Sequence, residues 1–265
     1  MARASRKEDA LMDLPRNHFK RRLQAGEQQI GLWVTIPDPG VAEAMAGAGF
    51  DWLVIDTEHT PIEVSKVQAM LQAVAPYPVS PVVRPVANDT AILKRHLDQG
   101  AQTLLVPYVQ TVDEARAAAA AVRYAPKGVR GVAGTHRASG YGRVADYHGQ
   151  ADAEICLIVQ AETLATLDRL EEIAAVDGVD AVFIGPADLA TTMGYPGQAG
   201  HPEVKAKVLE AIGRLKAVGT PAGVLTLDAG FARECMAAGT TFTAVGVDFT
   251  TLVRAVDTLA AAFKG

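Results

Sequence analysis

Residues 181–189 run Ala181-Val182-Phe183-Ile184-Gly185-Pro186-Ala187-Asp188-Leu189. Four apolar residues end in a glycine and a proline, and a carboxylate follows within three positions. The same change from an apolar run to ionisable or amide side chains occurs at Asp56-Thr57-Glu58-His59 and at Gln160-Ala161-Glu162-Thr163. Apolar runs without alternation are typical of strands covered on both faces. Ionisable groups at the ends of such strands are typical of the functional face of an α/β barrel.

Eight runs of this kind alternate with amphipathic segments along the chain. The predicted strands are Ile30–Ile36, Trp52–Ile55, Pro81–Arg84, Thr103–Pro107, Ile155–Val159, Ala181–Ile184, Pro221–Leu225 and Phe242–Val245. The predicted helices cover about 40–48, 62–75, 90–99, 112–123, 164–174, 202–218, 228–238 and 249–263. Eight strand–helix repeats predict a parallel sheet that closes into a (β/α)8 TIM barrel. The alternative is a doubly wound open sheet, although no Gly-x-Gly-x-x-Gly motif follows the first strand.

Length and composition favour one cytoplasmic enzyme domain. The chain has 265 residues, 49% of them hydrophobic, and we expect residues 1–14 to form a loose extension and 15–265 a single barrel domain. A net charge of −5 gives no reason to expect nucleic acid. No apolar run approaches the roughly 18 residues that cross a bilayer, and the start lacks the apolar stretch of a signal peptide. Two cysteines, Cys156 and Cys235, are too few for a disulfide framework or a thiolate metal site.

One segment interrupts the alternation. Residues 125–152 contain six glycines, three arginines, two tyrosines and two histidines with little periodicity. A loop this long inside a domain is usually functional, and we expect it to cover the site.

Glu162 and Asp188 are the candidate metal ligands. Each carboxylate alone has an alternative role as the cap of the helix that follows its strand. Two acids on adjacent predicted strands, at the same end of a barrel, favour a divalent cation instead. Oxygen ligands without a nearby cysteine favour Mg²⁺, Mn²⁺ or a similar ion, with water and a chelating substrate completing the coordination.

Three further side chains have the chemistry of a catalytic site. His59 lies beside Asp56 and Glu58, which stabilise a protonated imidazole and suit it to proton transfer; the alternative is a structural histidine. Arg84 ends a strand and can bind a substrate carboxylate or a developing enolate oxygen, or pair with the same two acids. Gln160 offers a neutral donor for a substrate oxygen. No lysine ends a predicted strand, which argues against Schiff-base chemistry.

These segments resemble the metal-dependent pyruvate aldolases of the HpcH/HpaI family, close to the 4-hydroxy-2-oxoheptanedioate aldolases. The resemblance extends from about Gly31 to Phe263. It rests on Gly49-Phe50-Asp51-Trp52, Ile55-Asp56 with Glu58-His59, Val82-Val83-Arg84-Pro85, Gln102-Thr103-Leu104-Leu105-Val106-Pro107, Gly128 with Arg130-Gly131-Val132, and Val182-Phe183-Ile184-Gly185-Pro186-Ala187-Asp188-Leu189. It implies a class II aldolase of aromatic catabolism that reversibly cleaves 4-hydroxy-2-oxo acids to pyruvate and an aldehyde such as succinate semialdehyde.

The resemblance also implies residue roles. Glu162 and Asp188 would bind the cation (Mg²⁺, Mn²⁺ or Co²⁺), and Gln160 with the backbone around Ala187 would hold the substrate. Arg84 would stabilise the enolate. His59 would act as the acid–base group that transfers the proton, and Asp98 would raise the basicity of His59.

Asp98 presents a geometric difficulty. It lies at the predicted carboxyl end of a helix, on the barrel face opposite the site, where the helix dipole disfavours an anion. We therefore expect it to reach His59 of a neighbouring subunit; the alternative is a solvated helix-end acid. Family members are oligomers, commonly hexamers that exchange the last helix, and the same is expected here.

Two departures from the family pattern bear on the aldehyde. Thr57 stands where glycine is expected, and the loop around Arg137, which would meet the distal carboxylate of the aldehyde half, differs in length and composition. The competing functions are a lyase for acyl-CoA thioesters of the malyl-CoA or citryl-CoA type, and a non-catalytic barrel that binds 2-oxo acids. No basic cluster outside the long loop offers a nucleotide surface, and a pure binder needs no proton shuttle.

Overall fold

Eight parallel strands close into a barrel in the computed structural model, which describes residues 12–264. The strands are β1 (Gln29–Val34), β2 (Trp52–Asp56), β3 (Ser80–Arg84), β4 (Thr103–Val106), β5 (Cys156–Ala161), β6 (Ala181–Ile184), β7 (Ala222–Leu225) and β8 (Thr240–Val247). They follow one another around the barrel in chain order, and β1 pairs with β8, Gln29 opposite Phe242. This closure confirms the predicted barrel and excludes the open sheet.

Twelve α-helices are present in the described part of the chain. They are α1 (His18–Gln24), α2 (Pro39–Ala46), α3 (Val64–Val74), α4 (Thr90–Asp98), α5 (Val112–Ala121), α6 (Tyr147–Glu154), α7 (Leu164–Leu167), α8 (Leu170–Ala174), α9 (Pro186–Thr192), α10 (Pro202–Ala217), α11 (Ala229–Ala238) and α12 (Asp248–Lys264). The segment predicted as one helix over 164–174 is broken, because the backbone of Arg169 leaves the helical region at φ −121°. None of these helices is both long and apolar enough to cross a membrane.

Aromatic side chains fill the barrel interior. Trp33, Trp52, Phe183 and Phe242 are buried there and contact one another with ring centroids 5.4–6.4 Å apart. Phe19 of α1 packs against this cluster from the amino-terminal end of the barrel, 5.7 Å from Trp52. This packing closes the amino-terminal end of the barrel interior.

The long segment over 125–152 lies at the amino-terminal end of the barrel. It follows α5, which returns the chain to that end, and it contains a 3₁₀ turn (Arg137–Ser139) and most of α6. Arg137 Nη1 donates to the carbonyl of Gln99, 2.7 Å away, just after α4. The expectation that this segment covers the site of its own chain is therefore wrong, because a helix-to-strand connection begins on the opposite face.

The predicted amino-terminal extension lies mostly outside the described residues. Residues 1–11 are not described. Met12 forms a parallel bridge with Val144, and its amide donates to the carbonyl of Arg143 over 2.9 Å.

A buried histidine on α4 predicts loss of stability in acid. His96 is 1% exposed, and burial, followed by the charge of Arg95, lowers its pKa from 6.5 to about 4. Between these values the unfolded chain binds a proton that the folded chain does not, so stability falls as the pH falls through this window. A shift of this size corresponds to about 3 kcal/mol. We expect the free energy of unfolding of His96→Gln, measured by denaturant titration, to depend less on pH than that of wild type between pH 6.5 and 4.

The control is His18→Gln, because His18 is exposed at the start of α1. This variant should keep the wild-type pH dependence. If the free energy of unfolding of His96→Gln varies with pH as steeply as that of wild type, His96 is not the source of the acid sensitivity.

Candidate active site

The carboxyl ends of two pairs of neighbouring strands, β2 with β3 and β5 with β6, hold the polar groups that the sequence singles out. Asp56 and Arg84 are the last residues of β2 and β3, Gln160 lies in β5, Glu162 follows it, and Asp188 lies in the first turn of α9 after β6. The first four of these side chains are buried, whereas Asp188 is exposed. A cavity of about 480 Å³ opens here, and its lining includes His59, Arg84, Gln160, Ala187 and Asp188.

Two acids and an indole hold Arg84 in place. Its Nε and Nη2 donate to Asp56 Oδ1 and Oδ2 over 2.9 and 2.7 Å, and its Nη1 lies 2.8 Å from Glu58 Oε2. The guanidinium carbon is 5.3 Å from the centroid of the Trp33 ring. Both ion pairs considered from the sequence are present. They fix a planar cation at the cavity wall, since bidentate pairing restricts both position and orientation.

Glu162 is fixed by hydrogen bonds that are unrelated to helix capping. Its Oε1 accepts from the backbone amide of Tyr108 over 2.8 Å, and its Oε2 accepts from Gln160 Nε2. The helix cap that follows β5 is Thr163, whose hydroxyl accepts from the amide of Thr166. The capping alternative for Glu162 is therefore wrong.

Asp188 does not cap a helix either. The cap of α9 is Gly185. Within residues 12–264, the Asp188 carboxylate forms no hydrogen bond and no ion pair. Burial raises the pKa of Glu162 to about 7; the Tyr108 amide opposes this shift, and the carboxylates of Asp188 and Glu58 add to it. The two acids thus repel each other electrostatically, and neither has an ion pair within residues 12–264.

The surroundings of Glu162 fit a hard divalent cation. A Cβ at Gly185 would lie 2.7 Å from Glu162 Oε2 and 3.0 Å from Gln160 Nε2, so only glycine leaves this carboxylate free. Gln160 Oε1 is buried without a hydrogen-bond partner. Residues 12–264 contain no cluster of three or more His, Cys, Asp or Glu side chains arranged to hold a metal ion. A cation here would therefore have two protein carboxylates and open positions for water and substrate.

His59 stands at the edge of the cavity, with its side chain 67% exposed. Its Nε2 lies 3.7 Å from Glu58 Oε2. Asp56, which the sequence also placed beside it, uses both carboxylate oxygens on Arg84. Glu58 is thus the acid that contacts both His59 and Arg84.

Asp98 lies at the other end of the barrel and does not meet His59 of its own chain. It ends α4, and its Oδ1 accepts from Arg130 Nη2 over 2.9 Å, with His136 Nε2 at 3.9 Å. The Asp98 side chain is 19% exposed and that of Arg130 is fully buried. Asp98 is therefore a paired acid rather than the solvated one considered as the alternative.

Sequence patterns did not reveal several residues of the site. Trp33 lies beneath Arg84, Tyr108 donates its amide to Glu162 from a left-handed conformation (φ +54°), and Lys205 and Asp228 line the far wall of the cavity. Each contact joins elements far apart in sequence. The sequence showed Gly185-Pro186 only as part of a motif. The structure gives the reason for glycine, because a Cβ at position 185 would contact the Glu162 carboxylate.

Comparison with known proteins assigns the family. The family model described as HpcH/HpaI aldolase/citrate lyase matches residues 29–255. The chain belongs to this family. It is 60% identical to a pyruvate aldolase of Rhizobium etli over 95% of this chain and 99% of that one. It is 50% identical to a 4-hydroxy-2-oxo-heptane-1,7-dioate aldolase of Salmonella newport over 94% and 95% of the two chains.

A solved structure shares the fold closely. The HpcH/HpaI family protein from Burkholderia cenocepacia superimposes with a TM-score of 0.90 at 38% identity, covering 94% of this chain and all of that one. The barrel and its strand order are therefore those of the family.

The ion pair beneath the cavity predicts a large stability difference between two acid-to-alanine variants. Asp56→Ala removes a partner from the buried Arg84, and breaking a buried ion pair in this way costs about 3 kcal/mol or more. Glu210→Ala removes an exposed partner of Lys207 and should cost less than about 1 kcal/mol. Denaturant titrations at equal protein concentration measure both losses, and equal losses would contradict the buried pair's contribution.

Proposed function

We propose that this protein is a divalent-metal-dependent pyruvate aldolase. It cleaves 4-hydroxy-2-oxo acids, such as 4-hydroxy-2-oxoheptanedioate, to pyruvate and an aldehyde such as succinate semialdehyde, and it catalyses the reverse addition. The observation that carries the proposal is one cavity lined by a fixed Arg84, Gln160 and the unpaired Asp188, with Glu162 hydrogen-bonded to Gln160 at its wall. The aldolase names of relatives at 50–60% identity support it.

Glu162 and Asp188 would hold the cation, which is Mg²⁺, Mn²⁺ or Co²⁺ in this proposal. When bound, such an ion polarises the carboxylate and C2 carbonyl of a 2-oxo acid. Gln160, anchored on Glu162, and the backbone at Ala187 would orient the same oxygens. Arg84 already has its orientation set before substrate enters, so little reorganisation is needed during the reaction.

The cleavage step uses His59 and Arg84. His59, directly or through a water, takes the proton of the C4 hydroxyl, and the C3–C4 bond breaks as the C4–O bond becomes a carbonyl. The electron pair moves onto the pyruvate half as an enolate, whose C2 oxygen receives the negative charge. Arg84 stabilises that charge, which is greater in the transition state than in the ground state. Protonation at C3 then yields pyruvate.

The two competing functions have less support. An acyl-CoA lyase of the malyl-CoA or citryl-CoA type needs a surface for a nucleotide, and the cations lining this cavity are already paired with acids. A non-catalytic binder has no use for an exposed histidine beside Glu58 and Arg84. The names of the close relatives also favour aldolase activity. Cytoplasmic location and a place in aromatic catabolism belong to the same proposal.

An oligomer, proposed to be a hexamer, would complete the site. Asp98 would raise the basicity of His59 in a neighbouring subunit, where Arg137 would also approach the aldehyde half. The last helix supports association. Its apolar residues are all exposed in the single chain and recur at helical spacing: Phe249, Leu252, Val253, Val256, Leu259 and Phe263. An exposed apolar stripe of this length is typical of an interface, and we propose that α12 exchanges between subunits.

The experiment that tests the function is pyruvate release from a panel of substrates. We expect release from 4-hydroxy-2-oxo acids, loss of activity in excess chelator, and recovery on addition of Mn²⁺, Co²⁺ or Mg²⁺. Glu162→Gln should weaken Mn²⁺ binding at least roughly tenfold, because it removes an anionic ligand. Glu172→Gln, at an exposed glutamate of α8, is the control and should bind Mn²⁺ as wild type does.

Other outcomes would refute parts of the proposal. Full activity in excess chelator would exclude the metal. Release from malyl-CoA or citryl-CoA alone would favour the thioester lyase. Binding of pyruvate without cleavage of any substrate would favour the non-catalytic barrel.

The exposed stripe predicts how α12 variants associate. Leu259→Glu places a charge within the stripe and should shift the protein to smaller assemblies in light scattering after gel filtration. Thr258→Glu places the same charge on the opposite face of the helix and should leave the assembly unchanged. A wild-type protein that is monomeric at micromolar concentration would contradict the exchange of α12.

A further inference from the structure

The cavity extends well beyond the groups assigned to pyruvate. Its far wall is formed by the end of β7 and the starts of α10 and α11, and it includes Leu225, Thr226, Lys205 and Asp228. Ala199 and Gly200 line the same side and leave room because their side chains are small or absent. A volume of about 480 Å³ is far larger than a three-carbon acid requires. In the binding mode proposed above, this wall would contact the group joined to C3 of the pyruvate half.

Lys205 and Asp228 form the polar part of this wall. Lys205 Nζ lies 2.6 Å from Asp228 Oδ2 and 4.8 Å from the centroid of the Phe231 ring. Asp228 Oδ1 accepts from the amides of Gly230 and Phe231 at the start of α11. The carboxylate is thus fixed by the helix, and the ammonium is fixed between the carboxylate and the ring.

The pair remains accessible to a ligand. The side chains of Lys205 and Asp228 are 28% and 51% exposed. An ammonium has three donors, of which Asp228 takes one, and a carboxylate oxygen can accept more than one hydrogen bond. The wall therefore offers donors and an acceptor side by side, with no net charge.

A hydroxyl group matches this arrangement because it donates and accepts. A terminal carboxylate can only accept, and it would approach Asp228 as well as Lys205. Among the other cavity-lining residues, the Arg84 guanidinium is already paired with Asp56 and Glu58. Among residues 12–264 of the same chain, no cation lining this wall is thus left over to balance a second carboxylate.

We propose that Lys205 and Asp228 form a subsite that binds hydroxyl groups of the aldehyde half and selects hydroxylated aldehydes over those ending in a carboxylate. This inference rests on the proposed aldolase function and specifies its second substrate. Succinate semialdehyde is then a poorer substrate than a hydroxylated aldehyde such as glyceraldehyde. The ion pair determines specificity and takes no part in bond cleavage.

The test compares three aldehydes in three variants. The aldehydes are glyceraldehyde, propanal and succinate semialdehyde, each added to pyruvate at saturating Mn²⁺. The variants are Lys205→Met, Asp228→Asn and, as a matched control, Lys207→Met, which removes an ammonium two residues away that does not line the cavity. Each kcat/KM is divided by the same variant's rate of deuterium exchange at the pyruvate methyl group, which involves no aldehyde.

We expect Lys205→Met to lower the normalised kcat/KM for glyceraldehyde about tenfold, the loss typical of a hydrogen bond to a charged group. The normalised kcat/KM for propanal should stay within about twofold of wild type, and that for succinate semialdehyde should not rise, because this variant leaves Asp228 without its counter-ion. Asp228→Asn should raise the kcat/KM for succinate semialdehyde relative to that for glyceraldehyde, because it leaves Lys205 without its counter-ion. Lys207→Met should match wild type.

Two results would overturn the subsite. One is an equal change for glyceraldehyde and propanal, or no change for either. The other is a loss confined to succinate semialdehyde in Lys205→Met, which would make Lys205 a carboxylate receptor. Absence of both exchange and addition in the wild-type protein would instead overturn the proposed function, and the subsite with it.

Discussion

Around the proposed cation site, the four carboxylates of Asp56, Glu58, Glu162 and Asp188 are accompanied by one guanidinium, that of Arg84, and this imbalance of charge governs the site. Asp56 and Glu58 form ion pairs with Arg84, whereas Glu162 and Asp188 have no cationic partner within residues 12–264. Placing two acids side by side in a partly buried wall is unfavourable unless something positive joins them. A divalent ion between them and a fixed arginine nearby would form an electrostatic pocket for a 2-oxo acid, which carries its own negative charge.

The barrel core is what keeps this pocket rigid. The aromatic cluster of Trp33, Trp52, Phe183 and Phe242 fills the interior below the polar rim, and α1 closes the far end with Phe19. Trp33 belongs both to the core and to the site, because Arg84 stacks near its ring. Asp56, Arg84 and Gln160 therefore stand on packed strands, and the distances among them are set by strand pairing rather than by loop conformation.

The two ends of the barrel have different roles in the proposed enzyme. The carboxyl end carries the two proposed metal ligands and the arginine. The amino-terminal end carries Asp98, held by Arg130, and the long segment over 125–152 that packs on the same face. A subunit arrangement that brings this end against a neighbour's cavity would unite two polar clusters that a single chain holds apart, and the exposed face of α12 offers a surface for such an assembly.

The sequence by itself determined the barrel and most of its polar rim. Each strand is buried on both faces, so its apolar run is visible locally, and the residue that ends the run marks the rim; Asp56, Arg84, Gln160 and Glu162 were found in this way. The tertiary structure alone decided which of these groups neutralise each other, why Gly185 must lack a side chain, and that Lys205 meets Asp228 across the cavity. It also placed the 125–152 segment on the face opposite the one expected. Local patterns record whether a residue is buried, whereas contacts between distant elements depend on how the strands close and on which end of the barrel each connection lies.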